Sequence, residues 1–162
     1  MEQGPQKAPT FKWMVTRCAD GTRKTAPREL IHLLNSILAE EIRRIEKGGI
    51  PDKDGKLFDR SVFKAALPTV SKTRLIQYLY AEYPNQKPFI EALDGEKTEH
   101  TPESLAKIWN LSNEGAIEKA IELVELGLFE KRGSRDAPTF WVPFLYRDAL
   151  NLVQGKADEE EA

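Results

Sequence analysis

The chain has 162 residues, 40% hydrophobic and 31% charged, with a formal net charge of −2. That length is enough for one or two small, largely helical domains with a real core, and no apolar run approaches the roughly 20 residues of a membrane span. A single cysteine, Cys18, and two histidines, His32 and His100, exclude a disulfide framework and a thiolate zinc cluster, which fits a reducing cytoplasm.

Charge is unevenly spread. The first 81 residues hold 15 Lys and Arg against 9 Asp and Glu, and the last 81 hold 9 against 17. Such asymmetry implies two partner surfaces, or two halves that attract each other. The start MEQGPQKAPT is polar and proline-bearing, unlike a secretion signal, and residues 1–9 read as a flexible lead. The end KADEEEA reads as an acidic, solubilising tail over 156–162.

Thr10 is expected to cap a short helix carrying Phe11, Trp13, Met14 and Val15, followed by a polar loop that turns at Asp20-Gly21. The strongest element of the first half is a helix running to about residue 47, with Thr25 as its N-cap and Pro27 in its first turn. Leu30, Ile31, Leu34, Ile37, Leu38, Ile42 and Ile45 form its apolar stripe, expected to face the core. Gly48-Gly49 stops it, and a loop with Pro51 and Asp54-Gly55 follows. Three short helices are expected next. Phe58, Val62, Phe63, Ala66 and Leu67 mark the first, ending near Pro68. The second covers 71–83 and the third 87–93. Lys72 and Arg74 near the start of the second are candidate phosphate contacts, because helix N-termini attract anions, or an ordinary solvated face. Tyr78, Tyr80 and Tyr83 suit either base stacking or core packing.

Residues 101–144 carry the clearest pattern. Thr101 is an N-cap with Pro102 at the first helical position and Glu103 in the first turn. Leu105, Ile108 and Trp109 share one face. Asn110 suits the left-handed conformation of a tight turn, and Leu111 is expected to point back into the core. A second helix follows over 113–126, buried through Ala116, Ile117, Ala120, Ile121, Leu123, Val124 and Leu126, and ended by Gly127. A strand over 128–132, a loop over 133–138 and a return strand over 139–142 complete the unit. That order predicts a winged helix-turn-helix with a small two-stranded wing. A closing helix is expected over 144–154. The fold class is therefore mainly α, a helical subdomain followed by the winged unit.

The second helix of this unit shows Asn113, Glu114, Gly115, Glu118, Lys119, Glu122 and Glu125 to solvent. Four acids against one base would be repelled by DNA, whose phosphates supply much of any binding energy. Glu114, Glu118, Glu122 and Glu125 read as a solvated or protein-docking face. Lys131, Arg132 and Arg135 on the wing can touch a nucleic-acid backbone, though three exposed bases are also common surface. No arrangement of nucleophile, base and acid is present, so no catalytic residue is assigned.

Two stretches resemble known families. ELGLFEKRG resembles the segment that closes the recognition helix in many bacterial winged-helix regulators. APRELIHLLN resembles the second sensor motif of AAA-type and STAND-like P-loop ATPases. Together with PTVSKTRLIQYLYAEYP, and with HTPESLAKIWNL through TFWVPFLYRDALNLVQGKA, it makes the chain from Phe11 to Ala157 similar to the C-terminal part of bacterial P-loop ATPases. The resemblance implies a lid-like segment over 10–56, a helical linker over 57–97 and the winged unit over 98–155. It also implies that Arg28 reaches the phosphates of a nucleotide held by a separate core. The chain itself lacks G-x-x-x-x-G-K-[ST] and a second-Walker acid pair, so ATP and Mg²⁺ would enter only through such a core. The expectation is a non-catalytic module that couples nucleotide state to a protein partner. The alternative is a DNA-binding protein that uses the wing and the basic first half. No sequence feature indicates an oligomeric state, and no membrane partner is implied.

Overall fold

The computed structural model describes residues 9–50 and 55–157. Residues 1–8 of the expected lead, most of the acidic tail and the Pro51–Asp54 part of the central loop lie outside those residues. The chain is mainly helical with one small sheet. Its order is α1 (Thr10–Cys18), α2 (Pro27–Glu46), α3 (Arg60–Ala65), α4 (Leu67–Thr73), a π-helical segment (Arg74–Tyr80), a 3₁₀ turn (Pro84–Gln86) and α5 (Lys87–Glu91). Then come β1 (Lys97–His100), α6 (Pro102–Trp109), α7 (Asn113–Glu125), β2 (Glu130–Gly133), β3 (Pro138–Trp141), α8 (Phe144–Arg147) and β4 (Val153–Lys156).

Local chemistry explains several boundaries. Asp59 caps α3, accepting from the Ser61 amide at 2.8 Å. Thr101 and Ser104 form a reciprocal capping box at the start of α6, and Ser112 caps α7 through the Gly115 amide at 3.1 Å. Asn110 has φ 53° and Gly127 φ 81°, so both helix ends turn through the left-handed conformation expected of them.

Other expectations need correction. Thr25 does not cap α2; Ala26 holds that position and the Thr25 hydroxyl donates to the Val15 carbonyl at 3.0 Å, tying α2 to α1. Pro68 opens α4 rather than ending α3, since a proline in the first turn sacrifices no hydrogen bond. Leu111 is 38% exposed instead of core-facing. The closing helix stops at Arg147. Asn151 at φ 50° reverses the chain, and Val153–Lys156 becomes a strand.

That last strand changes the sheet. Its order is β2-β3-β1-β4: β2 and β3 form an antiparallel hairpin, β1 pairs antiparallel with β3, and β4 lies parallel to β1. The sequence pattern anticipated only the hairpin. KTEH in β1 carries no apolar alternation, and its edges are satisfied by tertiary partners: the Val142 amide donates to the Thr98 carbonyl at 2.9 Å, and the Val153 amide to the Glu96 carbonyl at 2.8 Å.

One continuous core runs from Met14 and Cys18 through Leu33, Ile37, Val70, Leu79 and Ile90 to Leu105, Trp109, Leu123, Phe129, Phe140 and Tyr146. The long stripe of α2 is split by this packing. Leu33 and Ile37 are fully buried, while Ile31, Leu34, Leu38, Ile42 and Ile45 stay 42–58% exposed. Of the seven-residue stripe read from the sequence, Ile37 lies in the core and Leu30 packs against it, while the other five do not meet it. Glu41 is buried beside Ile37 instead. It accepts from Arg44 Nη2 at 2.5 Å and from the Asp59 amide at 3.0 Å, which hold its carboxyl below the usual range and join α2 to α3.

The loop after α1 docks on the α7–β2 turn. The Gly21 amide donates to the Gly127 carbonyl at 2.6 Å, and a Cβ on Gly21 would stand 2.1 Å from the Phe129 carbonyl oxygen. Backbone cannot yield as a flexible side-chain tip can. Gly21→Ala is therefore expected to cost about 2 kcal/mol or more, in the range of overpacked sites, read as a lowered urea midpoint. The exposed change Glu103→Ala should stay within about 0.5 kcal/mol.

Candidate functional site

The N-terminal end of α2 gathers the charges that the fold buries. Arg28 and Glu29 are adjacent, about 100° apart around the helix, so they point to different environments. Glu29 turns inward and is 5% exposed. Its place in the first turn suits an anion, because unpaired amides there carry partial positive charge. Glu29 Oε1 accepts from Arg28 Nε at 3.0 Å and from Arg74 Nη1 at 3.3 Å, so one carboxylate joins two guanidinium groups. Glu29 Oε2 and Arg74 Nε are buried without a hydrogen-bond partner.

Tyr78 completes this cluster. The Arg28 guanidinium lies 3.8 Å from its ring centroid and that of Arg74 5.6 Å. Arg74 and Tyr78 both belong to the π-helical segment, a winding often found at functional sites. The Arg28 side chain is held on two sides yet remains 49% exposed. Arg74 is turned inward: burial lowers its pKa, but Tyr146, Glu29 and Asp20 outweigh that and leave it raised. The expectation of Arg74 as an accessible phosphate contact is therefore not met, whereas Lys72, on α4, is exposed.

Two cavities flank the Glu29–Arg74 pair. The larger, about 460 Å³, is lined by Cys18, Asp20, Lys24, Glu29, Arg74 and Leu145. The smaller, about 260 Å³, is lined by Arg28, Glu29, His32, Arg74, Gln77 and Tyr78. In the smaller one Arg28 and Arg74 share the single carboxylate of Glu29, so two guanidinium groups face one acid. Cys18 is 1% exposed, and burial followed by the nearby Glu29 pushes its thiol up to about 12.

The wing is a second region of interest. Lys131 and Arg135 are exposed. Arg132 is committed: its Nε donates to Glu130 Oε1 at 3.0 Å and its guanidinium stacks 3.8 Å from the Trp141 centroid. Burial raises the Glu130 carboxyl, but hydrogen bonds from Arg132 and Arg23 prevail and leave it lowered. The sequence reading missed what continues from there. Arg147 lies 4.5 Å from the Trp141 ring and 4.2 Å from the Phe144 ring, and Arg17 of α1 lies 3.6 Å from Phe144. Arg147 also donates to the Val142 carbonyl at 2.8 Å, and burial, with Arg17 and Arg132 nearby, lowers its pKa to about 10. Trp141 and Phe144, three apart and followed by Arg147, were a visible signal; nothing local to Arg17 linked it to them.

On α7, Glu114, Glu118, Glu122 and Glu125 are all exposed, as the spacing predicts. The one base does not offset them outwardly. Lys119 Nζ donates to Glu122 Oε2 at 2.5 Å and to Gln86 Oε1 at 3.3 Å, and sits 4.7 Å from the Phe89 ring. Those bonds hold the Glu122 carboxyl below its usual range. Among the described residues no group of three or more His, Cys, Asp or Glu could hold a metal ion. Nor, among them, is any helix long and apolar enough to cross a membrane.

No family model, curated protein or solved structure matches this chain.

Two outcomes follow from the buried cluster. Arg74→Met should destabilise the fold by about 3 kcal/mol, because it leaves Glu29 buried with one cation fewer; urea denaturation reads it. Cys18 should resist a thiol reagent at pH 8 in the folded protein and react at once in denaturant, because the folded thiol is shut from solvent and burial keeps it protonated.

Proposed function

We propose that the chain is a non-catalytic regulatory module: a winged helix over residues 97–141 joined to a helical unit that presents Arg28. The order β1-α6-turn-α7-β2-β3, with β1 beside β3, is the arrangement a winged helix requires, and it supports that assignment over a generic helical fold. The observation that carries the functional reading is the acidic solvent face of α7. The helix that a DNA-reading member would place in the major groove shows four carboxylates, with its lysine folded back on Phe89 and Glu122. Such a face repels phosphates and suits a basic protein surface.

Arg28 supplies the second half of the proposal. Its Nε is spent on Glu29 and its plane rests on Tyr78, so the side chain is pre-aimed while half of it remains open to solvent. That favours a contact with the phosphates of a nucleotide bound by a separate P-loop core, as its motif implies. ATP and Mg²⁺ would belong to that core. The chain would transmit nucleotide state to whatever docks on α7.

A second reading, binding to a nucleic-acid backbone, draws on one observation: Arg17, Arg132 and Arg147 interleave with Trp141 and Phe144 next to the exposed Lys131 and Arg135.

Two measurements separate these readings. Fluorescence anisotropy of a labelled random duplex at low salt should show no binding tighter than about 1 µM. Micromolar or tighter binding that weakens steeply with salt and is lost in Lys131→Glu with Arg135→Glu would favour the second reading. With the cognate ATPase core added, Arg28→Ala should slow nucleotide hydrolysis by at least about tenfold, and an unchanged rate would remove the sensor role.

A further inference from the structure

Helix α2 carries two adjoining apolar faces, and among the described residues the fold covers only one of them. Leu33 and Ile37 are fully buried on the core side. Ile31, Leu34, Leu38, Ile42 and Ile45 are 58%, 46%, 49%, 49% and 42% exposed. At 100° per residue these five fall within about 80° of arc, in a row about 21 Å long. No Lys, Arg, Asp or Glu of α2 lies inside that arc. Isolated exposed leucines are ordinary, but a continuous charge-free row along a 20-residue helix marks a contact surface.

The spacing suits a second copy of the same helix. The steps are 3, 4, 4 and 3, so the row reads the same from either end about Leu38. A closed pair of identical chains needs a patch that is its own complement. Two antiparallel α2 helices with the two-fold axis at Leu38 place Leu38 against Leu38, Leu34 against Ile42, and Ile31 against Ile45. Every apolar residue of the row then meets another member of the row.

Charge selects this direction over a parallel one. Arg28 and Glu46 lie about five turns apart, at the same azimuth beside the row. An antiparallel pair brings Arg28 of each copy near Glu46 of the other, at both ends. A parallel pair would place the two copies of each residue on opposite flanks of the seam, with no glutamate across from either arginine. Antiparallel macrodipoles also attract, while parallel ones repel.

We infer that α2 is the interface of an antiparallel homodimer centred on Leu38. The area is several hundred Å² per copy, at the small end for a specific dimer, so the affinity is on the order of micromolar. The inference goes beyond the regulatory reading, and its test uses only the full chain without nucleotide, core or DNA.

Sedimentation velocity from about 1 to 200 µM, a span that brackets a micromolar equilibrium, should show the mass of two chains at the upper end. Leu38→Glu should be monomeric throughout, and below the concentration at which wild type dimerises the two should melt at the same temperature, since Leu38 is not part of the monomer core. Cysteine variants then report direction with a short bis-maleimide, the buried Cys18 thiol giving no background. Leu38→Cys should cross-link to itself. Ile31→Cys and Ile45→Cys should each fail alone and cross-link when mixed. A wild-type monomer at every concentration would overturn the dimer, as would a dimer indifferent to Leu38→Glu. Self-linking of Ile31→Cys would overturn the antiparallel arrangement.

Discussion

Glu29 is the point on which the helical half closes. Its carboxylate is buried where α2, the π-helical segment and the loop after α1 converge, and it bonds two arginines at once. Its backbone carbonyl also takes the Cys18 thiol at 3.7 Å, which brings α1 to the same junction. A buried carboxylate is tolerable only with such partners. It fixes the rotation of α2 about its own axis, because Glu29 can face only the side where Arg74 waits. That rotation determines everything else the helix does. It sends Leu33 and Ile37 into the core, leaves Arg28 half open above Tyr78, and leaves the Ile31–Ile45 row in solvent.

The other half is organised around β1. This short polar strand takes β3 on one side and β4 on the other, so the hairpin and the chain end share one sheet. Its last residue, His100, is fully buried against Ser104 of the α6 capping box, linking strand to helix. Beyond it, Trp141, Phe144 and Arg147 carry the sheet over to Arg17 of α1. The two halves therefore meet through stacked cations and rings as well as through aliphatic packing, and Arg17 of the basic half is spent on this contact.

The surface divides accordingly. One face, on α7, is acidic and polar. The α2 face is apolar and self-symmetric. The exposed guanidinium of Arg28 sits at the end of the apolar row. A dimer through α2 would place two Arg28 groups about one helix length apart.

Much of the fold was legible in the amino-acid sequence because its signals are local. Thr101-Pro102, Asn110, Ser112 and Gly127 act through their own backbone neighbours, so α6, α7 and the turn between them could be read directly. The acidity of α7 was equally plain, since side chains on an isolated face keep their charge whatever the fold. Tertiary structure alone decided the rest. β1 and β4 have no strand pattern of their own and exist because each satisfies the other's amides. The 3.6-residue period of α2 showed an apolar helix, but the period cannot say which of two adjoining stripes meets the core. That choice was made by a buried Glu29 and a buried Glu41, two charged residues whose partners, Arg74 and the Asp59 amide, lie far along the chain.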